Sequence, residues 1–186
     1  MEELILPELG PDGLLPIVLT PQPVLHRPAA PVTVFDGVLA ELVERMTAAM
    51  KAAPGAGLAG PQVGVGLRLF TYDCGPGKRG HVVNPVLERI SPDLEIENEG
   101  CLSVPGLRYP TPRATKVRVT GVDVDGNPVE VIGEGYLARC YQHEVDHLDG
   151  QLYLDRLGGK IRKQALREVR DAPWAGNAAL SPPLTG

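Results

Sequence analysis

An α+β fold is what the sequence predicts, with antiparallel strands packed around a central helix that carries His143-Glu144-Val145-Asp146-His147. Three observations point to it. Apolar residues recur at helical spacing over 36–54 and again over 135–150. The chain between them breaks into short apolar runs separated by Gly and Pro. The clearest pair of those runs is joined by a tight turn, which makes it an antiparallel hairpin.

The chain of 186 residues is long enough to bury one core and too short for two ordinary domains. Hydrophobic residues at 43% and charged residues at 22% give the balance of a soluble globular protein. A net charge of -5 excludes a general DNA or RNA binder, which needs surplus Lys and Arg to displace phosphate counterions. No apolar run approaches the ~18 residues of a membrane span. Glu2 and Glu3 after Met1 lack the basic start of a secretory signal, so a cytoplasmic location is expected. Cys74, Cys101 and Cys140 are an odd set with no framework spacing, which argues against structural disulfides and for metal or catalytic roles.

In chain order, residues 1–20 are rich in Pro and Leu without a sustained period and read as an irregular lead-in to a single domain over 21–171. Asp36 is the expected N-cap of a first helix, with Leu39, Leu42, Val43, Met46 and Met50 on its apolar face and Pro54-Gly55 as its stop. Residues 69–72, 81–90 and 94–96 read as strands. Val117 and Val119 alternate in one phase and Val122 and Val124 in the other, which predicts a bulge near Gly121. Asp125-Gly126-Asn127 is the turn, and Val129 and Val131 lie on the return strand. A second helix over 135–150 carries an apolar stripe of Leu137, Tyr141 and Leu148. A last amphipathic helix over 160–171 precedes a Pro-, Gly- and Ala-rich tail, 172–186, expected to be disordered.

On a helix a four-residue step turns about 400°, so His143 and His147 sit one turn apart on one face and can chelate one cation. Glu144 lies about 100° away, in reach of a water beside that cation without entering the ligand set. Taken alone, the pattern also fits two surface histidines on a charged helix. A tetrahedral catalytic site needs a third ligand and leaves the fourth position to water, and a thiolate suits the third. Cys101, in Glu99-Gly100-Cys101-Leu102-Ser103, supplies one, although by itself it reads equally as a buried core cysteine. Gly55-Ala56-Gly57-Leu58-Ala59-Gly60-Pro61-Gln62 follows a helix and lacks the Lys-Ser/Thr ending of a phosphate loop. Its glycines suit close approach of a ligand backbone, and Gln62 offers a side-chain amide.

Together, Gly-x-Gly-x-Ala-Gly-x-Gln, Glu-Gly-Cys-Leu-Ser and Gln142-His-Glu-x-Asp-His, in this order and roughly forty residues apart, resemble the three signature motifs of the peptide deformylase family. The resemblance runs from about Pro21 to Leu157, and Gly60 departs from it where many members carry alanine. It implies a hydrolase that removes the formyl group from the N-terminal formyl-methionine of newly synthesised proteins and releases formate. It implies that Cys101, His143 and His147 bind one divalent metal ion, iron(II) first, with zinc, nickel or cobalt as substitutes. Glu144 is then the general base and acid, and the Gln62 amide and Leu102 backbone N–H are the oxyanion donors. Tyr136 and Cys140, at steps of seven and three before His143, are expected to line the methionine pocket. Gly55, Ala56 and Gly57 are expected to pair with the substrate backbone as an added strand. Asp146 is a candidate to orient a ligand histidine. Lys160, Arg162, Lys163, Arg167 and Arg170 form a basic face in an acidic protein, a candidate ribosome contact for an enzyme acting on nascent chains. Rival readings are an H-E-x-x-H zinc peptidase, with a third ligand from Asp149, Asp155 or Glu168, and a metal-stabilised binding module.

Overall fold

The computed structural model describes residues 4–180. In chain order its elements are β1 (Ile17–Val18), α1 (Gly37–Ala52), β2 (Gly57–Ala59), β3 (Leu69–Asp73), β4 (Arg79–Arg89), β5 (Leu94–Cys101), β6 (Val104–Ala114), β7 (Lys116–Val122), β8 (Pro128–Glu134), α2 (Tyr136–Leu148), α3 (Gly159–Asp171) and β9 (Ala179–Leu180). Single 3-10 turns occupy Pro23–His26, Gly60–Val63 and Tyr153–Arg156.

Helix α1 starts where the sequence places it. The Asp36 carboxylate accepts the backbone N–H groups of Val38 at 3.0 Å and Leu39 at 3.1 Å, satisfying two of the donors a helix start leaves open. Leu39, Leu42, Val43, Met46 and Met50 are all buried. They pack on Leu58, Leu69 and Val83. Truncating one such side chain, as in Leu42→Ala, costs about 2–5 kcal/mol through lost transfer energy and the cavity left behind.

Strands β2, β3, β4, β7 and β8 form one antiparallel sheet in the order β2-β3-β4-β7-β8. Alternation along β3 splits the two sides: Leu69 faces α1, while Phe70 and Tyr72 join Val82, Val117, Val119 and the residues of α2. The sheet is therefore covered on both faces, which corrects the bulge expected near Gly121. The β7–β8 register runs unbroken from Lys116↔Glu134 to Val122↔Pro128. Val117 and Val119 belong to the α2 side, and Val122 and Val124 to the α1 side, so the change of phase is a change of which face is covered. The irregularity lies on the neighbouring strand, between Val83 and Val86 of β4. There Asn84 adopts φ 51 and its side chain exchanges hydrogen bonds with Val32 at 2.8 and 2.9 Å.

Helix α2 is buried from Leu137 to Leu148 without interruption, polar residues included. It is central because sheet, β5–β6 arm and the segment after it enclose it. Strands β5 and β6 pair as a separate two-stranded arm. A third cluster of Val104, Tyr109, Leu152, Tyr153, Leu154, Leu157 and Ala165 fastens α3 to that arm.

Both ends of the chain depart from the sequence reading. Within the lead-in, Leu15, Ile17 and Leu19 are buried and Ile17–Val18 forms β1. The tail expected to be disordered from Ala172 forms a turn and then β9 over residues 172–180, and β9 pairs antiparallel with β1. Two short apolar segments of unremarkable composition hold one another, which no local pattern records. Residues 181–186 lie outside the described residues.

Candidate active site

The helical step brings His143 and His147 together, with Nε2 to Nε2 at 3.1 Å. The end of β5 brings Cys101 up to them, its Sγ 3.3 Å from His147 Nε2. These three are the group among the described residues whose donor atoms converge, all within 4.8 Å of one another. Asp149, Asp155 and Glu168 are not part of it. Glu168 is engaged instead by the Tyr109 hydroxyl at 2.6 Å and the Gln164 amide at 2.8 Å. A peptidase-type third ligand is thus not in place.

The donor set suits a divalent ion. A thiolate and two imidazoles with an open side match a three-ligand catalytic site. Burial alone would lower the pKa of His143, yet Cys101, Glu99 and Glu144 raise it well above its ordinary value. At His147, burial first and then the charges of His143 and Arg113 lower the pKa well below its ordinary value.

His143 is aimed by a residue whose role sequence reasoning missed. Glu99 Oε1 lies 2.6 Å from His143 Nδ1, which turns Nε2 toward Cys101 and His147. Arg113 reaches Glu99 at 2.5 and 3.0 Å, and Arg139 reaches it at 2.9 Å. Burial pushes the Glu99 carboxyl up, but its bonds to His143 and Arg113 outweigh that and hold it well below the usual carboxylate range. The signal was present in sequence, since Glu99 stands two residues before Cys101, but nothing local tied it to a histidine 44 residues away. Asp146 orients no ligand histidine. It is held by Arg113 at 2.6 Å and by both nitrogens of Arg156 that it faces, and so braces the helix.

Glu144 is buried, and its Oε2 has no hydrogen-bond partner among the described residues. Burial first, with the charge of Glu99 adding to it and His143 opposing, pushes its pKa up to about 7. A Cβ at Gly57 would stand 2.3 Å from Glu144 Oε1, so this glycine admits the protein's own carboxylate. Gln62 is fixed from behind. Its Oε1 accepts the Ala59 N–H at 2.9 Å, which turns the amide NH2 toward Cys101 Sγ at 3.5 Å and Ser103 Oγ at 3.3 Å.

A cleft of about 580 Å³ opens over this cluster. Cys101, His143, Glu144, Gln62 and Leu102 line it, as do Gly55, Ala56, Gly57, Cys140 and Tyr136. His147 and Asp146 form no part of the lining, and both are buried. Tyr136 stands at the rim, 63% exposed, while Cys140 is buried and its thiol donates to Ala56 O at 3.4 Å. Arg108 also borders the cleft, with a guanidinium bond to Asn98 O at 3.4 Å. His26 and His81 are elsewhere, bonded to Thr20 and to the Val124 N–H.

Comparison with known proteins agrees with this geometry. A family model described as polypeptide deformylase matches residues 14–163. The peptide deformylase of Mycolicibacterium paratuberculosis is 49% identical over 178 residues, covering 87% of this chain and 90% of the relative. That of Acidothermus cellulolyticus is 50% identical, covering 87% and 88%. Among solved structures, the peptide deformylase of Thermus thermophilus superposes with a TM-score of 0.80 at 42% identity, over 85% of this chain and 94% of that one.

Proposed function

This chain belongs to the peptide deformylase family and hydrolyses the formyl group from the N-terminal formyl-methionine of newly synthesised proteins; we propose that Cys101, His143 and His147 hold one divalent cation for that reaction. The convergence of their three donor atoms beside the unpartnered Glu144 oxygen carries the reading. When bound, such a cation supplies Lewis acidity and lowers the pKa of water toward neutrality.

The remaining work falls to side chains of this protein. Glu144 takes the proton as water adds to the formyl carbon, then delivers it to the amine nitrogen as the C–N bond breaks, leaving formate and a free N-terminal methionine. A pKa near 7 suits a group that must both accept and return a proton. The Gln62 amide and the Leu102 backbone N–H donate to the carbonyl oxygen as it gains negative charge. Because Ala59 holds the Gln62 oxygen, the amide NH2 stays turned toward Cys101 and the cleft.

Gly55 and Ala56 lead into β2, the edge strand of the sheet that Gly57 begins, and all three line the cleft, an arrangement that supports pairing of the substrate backbone as an added strand. Cys140 and Tyr136 border the methionine side chain. Metal content measured alongside hydrolysis of formyl-Met-Ala-Ser tests the whole reading: a protein that takes up metal and leaves the formyl peptide intact overturns it.

We take iron(II) as the resident ion, with zinc, nickel or cobalt as substitutes, since one soft thiolate and two imidazoles accept all four. An air-aged, iron-loaded sample is expected to carry oxidation on Cys101 rather than Cys74 or Cys140. Mass spectrometry finding Cys101 intact after activity is gone overturns that assignment. A cytoplasmic location follows from the substrate. No helix among the described residues is long and apolar enough to cross a membrane. Contact with the ribosome is assigned to α3, where Lys160, Arg162, Lys163 and Arg167 are exposed.

A further inference from the structure

The family match ends at residue 163, yet the chain beyond it returns to the cleft. After α3, residues 172–177 turn through the Ala175 N–H to Ala172 O bond at 2.9 Å and the Asn177 N–H to Trp174 O bond at 3.0 Å. The Trp174 indole N–H then donates to Pro105 O at 2.9 Å, and Trp174 packs on the cluster containing Val104 and Tyr109. The Leu19 N–H donates to Ala178 O at 3.0 Å, and β9 completes the ladder with Ile17↔Leu180 and Val18↔Ala179. The segment is therefore tied at two separate places, and both ties are to residues in or beside the cleft wall.

The result is an apolar stretch of cleft wall that includes Ile17, Leu180, Leu102, Val104 and Pro105. A Cβ at Gly55 would stand 2.8 Å from Leu102 Cδ1, so this stretch adjoins residue 55, whereas Tyr136 and Cys140, assigned above to methionine, line the cleft from α2. We propose that Leu180, with Ile17 beneath it, forms a subsite for an apolar side chain that follows the formyl-methionine, so that the carboxyl-terminal segment of this chain sets which nascent peptides are preferred. The proposal rests on the deformylase reading of the cleft. Its physical basis is burial: an apolar side chain in a peptide leaves water against Leu180 and Ile17, whereas a serine gains nothing there.

Formyl-Met-Ser-Leu and formyl-Met-Leu-Ser, each compared with formyl-Met-Ser-Ser on the metal-loaded enzyme, test it. At least one leucine peptide is expected to show a kcat/KM about five- to twentyfold above the serine peptide, carried by KM. Leu180→Ser should bring that ratio to near one, and Leu180→Met should restore it. A second readout does not depend on turnover. Trp174 is the single tryptophan of the chain, so binding of the product peptide Met-Ser-Leu or Met-Leu-Ser should shift its fluorescence in the wild type, and Leu180→Ser should weaken that response. A leucine preference that is the same in wild type and Leu180→Ser, or no leucine preference at all, overturns the subsite while leaving the activity standing. Failure of the wild type to hydrolyse any of the three peptides overturns the deformylase reading and the subsite with it.

Discussion

Two neighbouring stripes of α2 are both polar and both buried, and they are treated in opposite ways. Arg139, His143 and Asp146 meet Glu99 and Arg113 of the β5–β6 arm and Arg156 of the turn after α2 in a chain of ion pairs. Cys140, Glu144 and His147 lie beside them, and there Glu144 Oε2 and His147 Nδ1 have no partner among the described residues. Burying an ionisable group is costly unless its bonding capacity is met. Where the protein meets that capacity it is holding a shape. Where it leaves capacity unmet on Glu144, which lines the cleft, that capacity is kept for water and substrate.

Removing the unmet group should therefore cost activity and little else. Glu144→Ala is expected to lower kcat by about 10²–10⁴-fold while the protein still binds metal. Elemental analysis alongside turnover checks this, and loss of metal together with activity would place Glu144 among the ligands. Gln62 belongs to both kinds of group, because its amide NH2 faces the cleft while its oxygen serves Ala59. Gln62→Leu should reduce kcat by about 10²–10³-fold as an oxyanion donor is lost. It should also lower stability by about 1–3 kcal/mol, since the buried Ala59 N–H loses its acceptor. Unchanged turnover in a folded variant would remove Gln62 from the mechanism.

Breaking the satisfied stripe should show the reverse pattern. Glu99→Gln leaves His143 poorly aimed and two buried guanidiniums short of a counter-charge. Metal affinity is expected to fall about 10–100-fold, and stability by about 3–5 kcal/mol. Competition with a metal-sensitive chelator and denaturant unfolding measure the two effects. Normal metal affinity in this variant would show that the 2.6 Å contact does not orient the ligand. The smallest effect is expected on the exposed face of α3. Reversing Lys160, Lys163 and Arg167 to Glu should leave peptide hydrolysis intact and weaken co-sedimentation with ribosomes at low salt. Identical co-sedimentation of variant and wild type ends that assignment.

Much of the site was legible in the sequence because its elements are local. A four-residue step places two histidines on one helix face wherever the helix sits, and Asp36 caps α1 through atoms only two and three residues away. Spaced segments such as Gln62, Cys101 and His143 could be joined before the structure only through their resemblance to a family. No periodicity carries a contact across 39 or 46 residues, the separations of Cys101 from Gln62 and from His147.

What tertiary structure alone decided follows from the same reasoning. The change of phase between Val117 and Val122 was read as a bulge, because coverage of both sides of the sheet depends on α1 and α2 arriving from distant sequence. Sequence offered Asp146, next to His147, as the residue to orient a ligand histidine; that Glu99 reaches His143 instead was settled by how the β5–β6 arm lies on α2. Composition made residues 172–180 look unstructured. Their order comes from Pro105, Leu19 and Ile17, partners more than sixty residues away whose backbone groups accept and donate regardless of side-chain identity. Backbone hydrogen bonding is common to nearly every residue, so sequence can mark a segment's readiness to pair and cannot mark its partner.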